Sequence, residues 1–113
     1  MKLTILFGGA SFEHEISIVS AITLKEKLHS FDLSFIFCDQ EHSFYMIEPS
    51  KMQAITFSRN EYKKMPQLSI SNGCFIEKSM FSSKKHKDTV LNLIHGADGE
   101  DGTIPALLDF FSI

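Results

Sequence analysis

The chain contains only two cysteines, and Cys38 and Cys74 do not form a CxxC pair. Without a secretion signal, two such thiols read as reduced core residues rather than as a disulfide, and nothing supports a catalytic cysteine. The apolar run LTILF, five residues behind a single lysine, is too short for a signal-peptide core or a membrane span, so the sequence predicts a cytoplasmic protein with no membrane partner. There is no basic excess. Eleven basic residues face fourteen acidic ones for a formal charge of −3, which leaves no footprint for nucleic acid, and KKHK at Lys84 to Lys87 reads as a solvated loop. Neither GxGxxG nor GxxxxGK[ST] occurs, which argues against a self-contained dinucleotide or triphosphate site. His95, Asp98, Glu100 and Asp101 lack the alternation of an EF-hand loop, so no metal site is expected here. No internal repeat or low-complexity stretch is present.

What remains is 113 residues, 43% of them hydrophobic, the size and composition of one soluble domain with one core. Leu3 to Phe7 is an uninterrupted apolar run ended by Gly8 and Gly9, as expected of a strand buried on both faces of a parallel sheet. From Glu13 to about His29, Ile16, Val19, Ala21 or Ile22, Leu24 and Leu28 recur at helical spacing and predict one buried stripe. Ser11 suits the cap of that helix, and Glu13 and Glu15 suit its positive end. Leu33 to Cys38 is the next strand, which by default lies parallel to the first. Pro49, Pro66 and Asn72-Gly73 punctuate a β-leaning middle, where Gln67 to Lys78 reads as a hairpin. Residues 48–64 fit a loop, a short helix or an edge strand. Thr89 to Ile94 predicts another buried strand, and HGADGEDG leads from it into an apolar helix over Thr103 to Phe111. The expected class is α/β, with a mostly parallel sheet and an inserted hairpin region.

Two loops stand out, and each follows a buried strand. Open α/β sheets place ligands beyond the C-terminal ends of their strands, so if Leu3–Phe7 and Thr89–Ile94 are parallel neighbours, the loops from Gly8 and from His95 share one crevice. Its glycines would admit backbone to a ligand, while Glu13 offers a carboxylate and His95 a donor or an acceptor. Such a site suits a small zwitterion. Each feature also has a plainer account: a glycine pair is often only a tight turn, Glu13-His14-Glu15 fits a charged first helical turn, and a histidine at a strand end is often structural.

Taken together, LFGGASFEHEISIVSA, Leu6 to Ala21, and NLIHGADGEDGTI, Asn92 to Ile104, closely resemble the paired signatures of the D-alanine–D-alanine ligases, the ATP-grasp enzymes of peptidoglycan precursor synthesis and hence of cell-wall formation. The resemblance covers most of the chain and implies the N-terminal, Rossmann-like pre-ATP-grasp domain, a three-layer α/β unit. By motif position it implies that Glu13 holds the ammonium of the first D-alanine and that His95 orients or stabilises the developing acyl phosphate. Ser17, one helical turn beyond Glu13, would help position that region. Gly8, Gly9, Gly96, Gly99 and Gly102 would shape the two loops. The implied cofactors are ATP with magnesium or manganese, held by two further domains, and the implied assembly is a homodimer.

These 113 residues contain nothing resembling the family's ATP site, its metal ligands or its lid, so the chain is expected to be inactive alone. TIPALLD also departs from the family, which usually has glutamine and glycine after Thr-Ile; Pro105 falls in a first helical turn, where its missing N–H costs little. A stand-alone, non-catalytic α/β binding domain derived from such a ligase is the alternative reading. An unrelated α/β enzyme or flavodoxin-like nucleotide binder is a third.

Overall fold

The computed structural model describes residues 2–9, 14–28, 30–71, 73–78, 83–86 and 89–93. Among them, strand β1 (Lys2–Gly8), helix α1 (His14–Lys27) and strand β2 (Asp32–Cys38) form the opening unit. As the apolar runs predict, β1 and β2 pair in parallel from Lys2↔Asp32 to Gly8↔Cys38. Strand β7 (Thr89–Asn92) lies on the other side of β1, also parallel, with Leu3 opposite Thr89 and Leu6 opposite Asn92. A strand flanked on both edges and covered on both faces can carry no exposed polar pattern, which explains the unbroken LTILF.

The inserted hairpin region extends this same sheet. Strands β3 (Phe44–Ile47), β4 (Gln67–Ser71), β5 (Cys74–Lys78) and β6 (Ser83–His86) follow β2 as an antiparallel meander. The strand order among the described residues is β6-β5-β4-β3-β2-β1-β7. The predicted hairpin is present, with Ser71 opposite Cys74 and Gly73 at φ +81° in the turn. KKHK does not form a solvated loop: Lys84, Lys85 and His86 belong to β6, whose ladder to β5 places His86 Nε2 3.6 Å from Glu77 Oε1. The predicted helix over Thr103 to Phe111 lies outside the described residues.

Residues 48–64 fold as helical turns: a 3₁₀ turn at Pro49–Lys51, helix α2 (Ala54–Ser58) and a 3₁₀ turn at Glu61–Lys64. Segments this short have little helical stability of their own and depend on tertiary packing. Met52, Phe57 and Tyr62 supply it by joining Ile5, Phe7, Phe35, Phe37 and Ile47 in one buried cluster with Ile18 and Ala21 of α1. Phe37 is central to it, with ring centroids 5.3 Å from Phe7, 4.8 Å from Phe57 and 4.6 Å from Tyr62. The opposite face buries Leu6, Ile36, Cys38, Phe44, Leu68 and Phe75. Both cysteines are free and buried, in keeping with reduced core thiols.

The buried face of α1 differs from the predicted stripe. Ala21, Ile22 and Leu24 of that stripe pack on the core, but Ile16 and Val19 are 59% and 60% exposed, and Ser17 and Ile18 are buried in their place. The stripe is displaced because a hydrogen-bonded serine occupies a core position that a count of apolar residues passes over. At the other end of the helix, Lys25 and Lys27 fall in the last turn, where cations complement the helix dipole.

Truncating the aromatic centre should be far costlier than altering the outward apolar pair. Phe37→Ala is expected to lose about 3–5 kcal/mol, whereas Ile16→Ser and Val19→Ser should each change stability by about 0.5 kcal/mol or less; urea unfolding of the three variants compares them directly.

Burial, and secondarily the Asp39 carboxylate, push the phenols of Tyr45 and Tyr62 above their ordinary range. The folded protein therefore keeps them protonated to higher pH than the unfolded chain does. Their contribution to stability is complete below about pH 10 and is lost as pH rises through the folded values. Tyr62→Phe is expected to flatten this alkaline decline, as read by melting temperature from pH 8 to 11; an unchanged slope would contradict the assignment.

Candidate functional site

Two strand ends meet where the sequence places its two loops. β1 ends at Gly8 with φ +101°, and Gly9 follows at φ +96°, a region that side-chain-bearing residues rarely adopt. A Cβ on Gly8 would overlap the Cys38 carbonyl oxygen and crowd the Phe37 ring. Gly9 N–H donates to that same carbonyl at 2.8 Å, so the chain leaves β1 pressed against the end of β2. Both glycines are required by this path.

On the other edge of β1, Leu93 N–H donates to the Leu6 carbonyl at 2.7 Å, extending the parallel pairing one residue past β7. Between Gly8 and Leu93 stands Ser17, fully buried on α1. Its Oγ accepts the Gly8 N–H at 3.0 Å and donates to the Leu93 carbonyl at 2.8 Å. One hydroxyl thus joins β1, α1 and the end of β7. Leaving buried partners of this kind unsatisfied costs about 1–3 kcal/mol each.

Of the sequence-predicted residues, Gly8, Gly9 and Ser17 come together here. Glu13, His95, Gly96, Gly99 and Gly102 lie outside the described residues. Along the sequence, Glu13 precedes Ser17 by four residues and His95 is the second residue after Leu93. The described geometry therefore places the roots of both loops side by side, at the C-terminal edge where open α/β sheets take their ligands.

Sequence reasoning missed the Leu93 carbonyl, because a backbone acceptor has no residue signature. It also passed over Asp39, which follows β2 on the same edge. Asp39 is 4% exposed, and its Oδ1 accepts the N–H groups of Glu41 at 2.9 Å and Ser43 at 2.8 Å. This carboxylate organises the turn into β3, with His42 held at φ +65°. Among the described residues no group of three or more His, Cys, Asp or Glu side chains could hold a metal ion, and no helix is long and apolar enough to cross a membrane.

Comparison with known proteins brings the same residues under one heading. The family described as D-ala D-ala ligase N-terminus matches residues 2–113. The D-alanine–D-alanine ligase of Sulfurimonas denitrificans is 74% identical over 113 residues, covering 100% of this chain and 33% of that protein. Among solved structures, the D-alanine–D-alanine ligase from Helicobacter pylori superimposes with a TM-score of 0.87 at 46% identity, over 100% of this chain and 36% of its own. The VanG D-Ala:D-Ser ligase from Enterococcus faecalis gives 0.77 at 26% identity, over 99% of this chain and 34% of its own. The chain spans about a third of the length of the curated relatives it matches.

Gly8 and Gly73, both at positive φ, offer a graded test. Gly73 has open space around a built Cβ, whereas Gly8 does not. Gly73→Ala should show only the backbone strain of about 1–2 kcal/mol, and Gly8→Ala should lose clearly more; equal losses in chemical denaturation would mean that the β1 end relaxes away from β2.

Proposed function

This chain belongs to the family of D-ala D-ala ligase N-termini, and from that premise we propose that it supplies the first D-alanine subsite of an ATP-dependent D-alanine–D-alanine ligase acting in peptidoglycan precursor synthesis. The observation that carries the reading is the juxtaposition of the Gly8 and Leu93 strand ends, joined through Ser17, at the roots of the two family loops. The reaction has two steps. The carboxylate of one D-alanine takes the γ-phosphoryl group of ATP with release of ADP, and the amine of a second D-alanine attacks the resulting acyl phosphate, forming the peptide bond and releasing phosphate and a proton.

In this scheme the Glu13 carboxylate holds the ammonium of the first D-alanine, which fixes the direction in which its carboxylate points. His95 donates a hydrogen bond toward that carboxylate, where negative charge is redistributed as the acyl phosphate forms. The glycine loops bring backbone close to a substrate of only six heavy atoms, and positioning of this kind contributes much of the rate in a reaction between held partners. ATP and magnesium enter through the family. Homodimerisation rests likewise on the family alone. The likeness to a D-Ala:D-Ser ligase fits a domain that serves the first amino acid and leaves the choice of the second to the rest of the enzyme.

The test is a graft. The segment of the Sulfurimonas denitrificans ligase that aligns with this chain, 74% identical over 113 residues, is replaced by this chain, and phosphate release with D-alanine and ATP is followed. An active graft is expected, with the isolated chain inactive. Glu13→Gln should raise the KM for the first D-alanine by about tenfold to a hundredfold, the range expected for losing a charged hydrogen-bond acceptor. A folded but inactive graft, or a Glu13→Gln graft with unchanged KM, would refute the reading.

A further inference from the structure

The backbone ladder between β1 and β7 changes character at one point. In a parallel pair, a residue whose N–H reaches one strand residue places its carbonyl opposite the N–H two residues further along that strand. Leu93 N–H donates to the Leu6 carbonyl, so a regular ladder would next pair the Leu93 carbonyl directly with Gly8 N–H. Instead the Ser17 hydroxyl occupies that place, taking the Gly8 N–H at 3.0 Å and passing its own proton to the Leu93 carbonyl at 2.8 Å.

We propose that Ser17 is a positioning residue that replaces the last rung of the β1–β7 ladder and holds the two strand ends one hydroxyl apart, setting the width of the crevice for the first D-alanine. The inference rests on the ligase reading for its substrate, but not for its geometry. Gly9 N–H turns the opposite way and bonds β2, so β1 remains anchored on that side while its other edge is wedged open. Serine fits both demands of the position: it is short enough to be fully buried between α1 and the strand ends, and it both donates and accepts. Alanine would leave the Gly8 N–H and the Leu93 carbonyl without this bridge, and their simplest remedy is to approach and bond each other, narrowing the crevice.

Two measurements on the grafted full-length enzyme test this. A crystal structure of the Ser17→Ala graft should show the Gly8 nitrogen and Leu93 oxygen drawn together into a direct hydrogen bond; retention of the parent separation would overturn the wedge whether or not the enzyme is a ligase. In kinetics, Ser17→Ala should raise the KM for the first D-alanine on the order of tenfold or more, leave the KM for ATP unchanged, and be rescued in part by Ser17→Thr. A folded Ser17→Ala graft with parental KM would also overturn the proposal. Loss of folded protein without a KM change in the fraction that remains would mark Ser17 as structural only and overturn it equally. If the parent graft makes no dipeptide, the ligase reading fails, and the Gly8 to Leu93 separation alone decides the wedge.

Discussion

The contact on which the candidate site depends is a single buried hydroxyl shared by two backbone groups. Ser17 Oγ lies between Gly8 N–H and the Leu93 carbonyl, and each of these ends a strand that leads into one of the two loops. The helix contributes this group because its buried face carries Ser17 beside Ile18 and Ala21. Removing the hydroxyl would therefore disturb helix packing, strand spacing and loop origin together. That concentration follows from the buried setting, where a polar group has no water to replace a lost partner.

Around this contact the rest of the domain works as a rigid base. Phe37 and its ring neighbours fix β2 beneath the Gly8–Gly9 path, and the close approach of β1 to the Cys38 carbonyl leaves no room for a side chain at Gly8. Asp39 completes the edge by tying the backbone of Glu41 and Ser43 into a turn. Its charge is spent on organising that turn, which separates a buried carboxylate with structural work from Glu13, whose proposed work is on a substrate.

The central strands were legible in the sequence because their burial on two faces demands unbroken apolar runs, and Asn72-Gly73 marked its hairpin by turn chemistry. The face of α1 was misread because Ile16 and Val19 have the right spacing for a core stripe but point outward, while the polar Ser17 points in. Residues 48–64 could not be assigned because their turns are stabilised by Met52, Phe57 and Tyr62 meeting residues distant in sequence. KKHK looked solvated because a strand is made by its partner, here β5, as much as by its own residues. For the site, the glycine loops and the candidates Glu13 and His95 could be seen directly, but the roles of those two residues came from family resemblance.

The order of strands carries a consequence for how the domain is assembled. β2 through β6 pair with their nearest neighbours in the chain, so most of that meander closes only short loops. The junction of α1 with the β7 end instead joins residues 76 apart, and its loop-closure entropy must be met before any contact there is gained. Strand β7 is thus the costliest piece to place. The strand ends that would receive a substrate also include this long-range junction at one end of the sheet, and whatever binds across it would hold together the part of the fold that local interactions hold least.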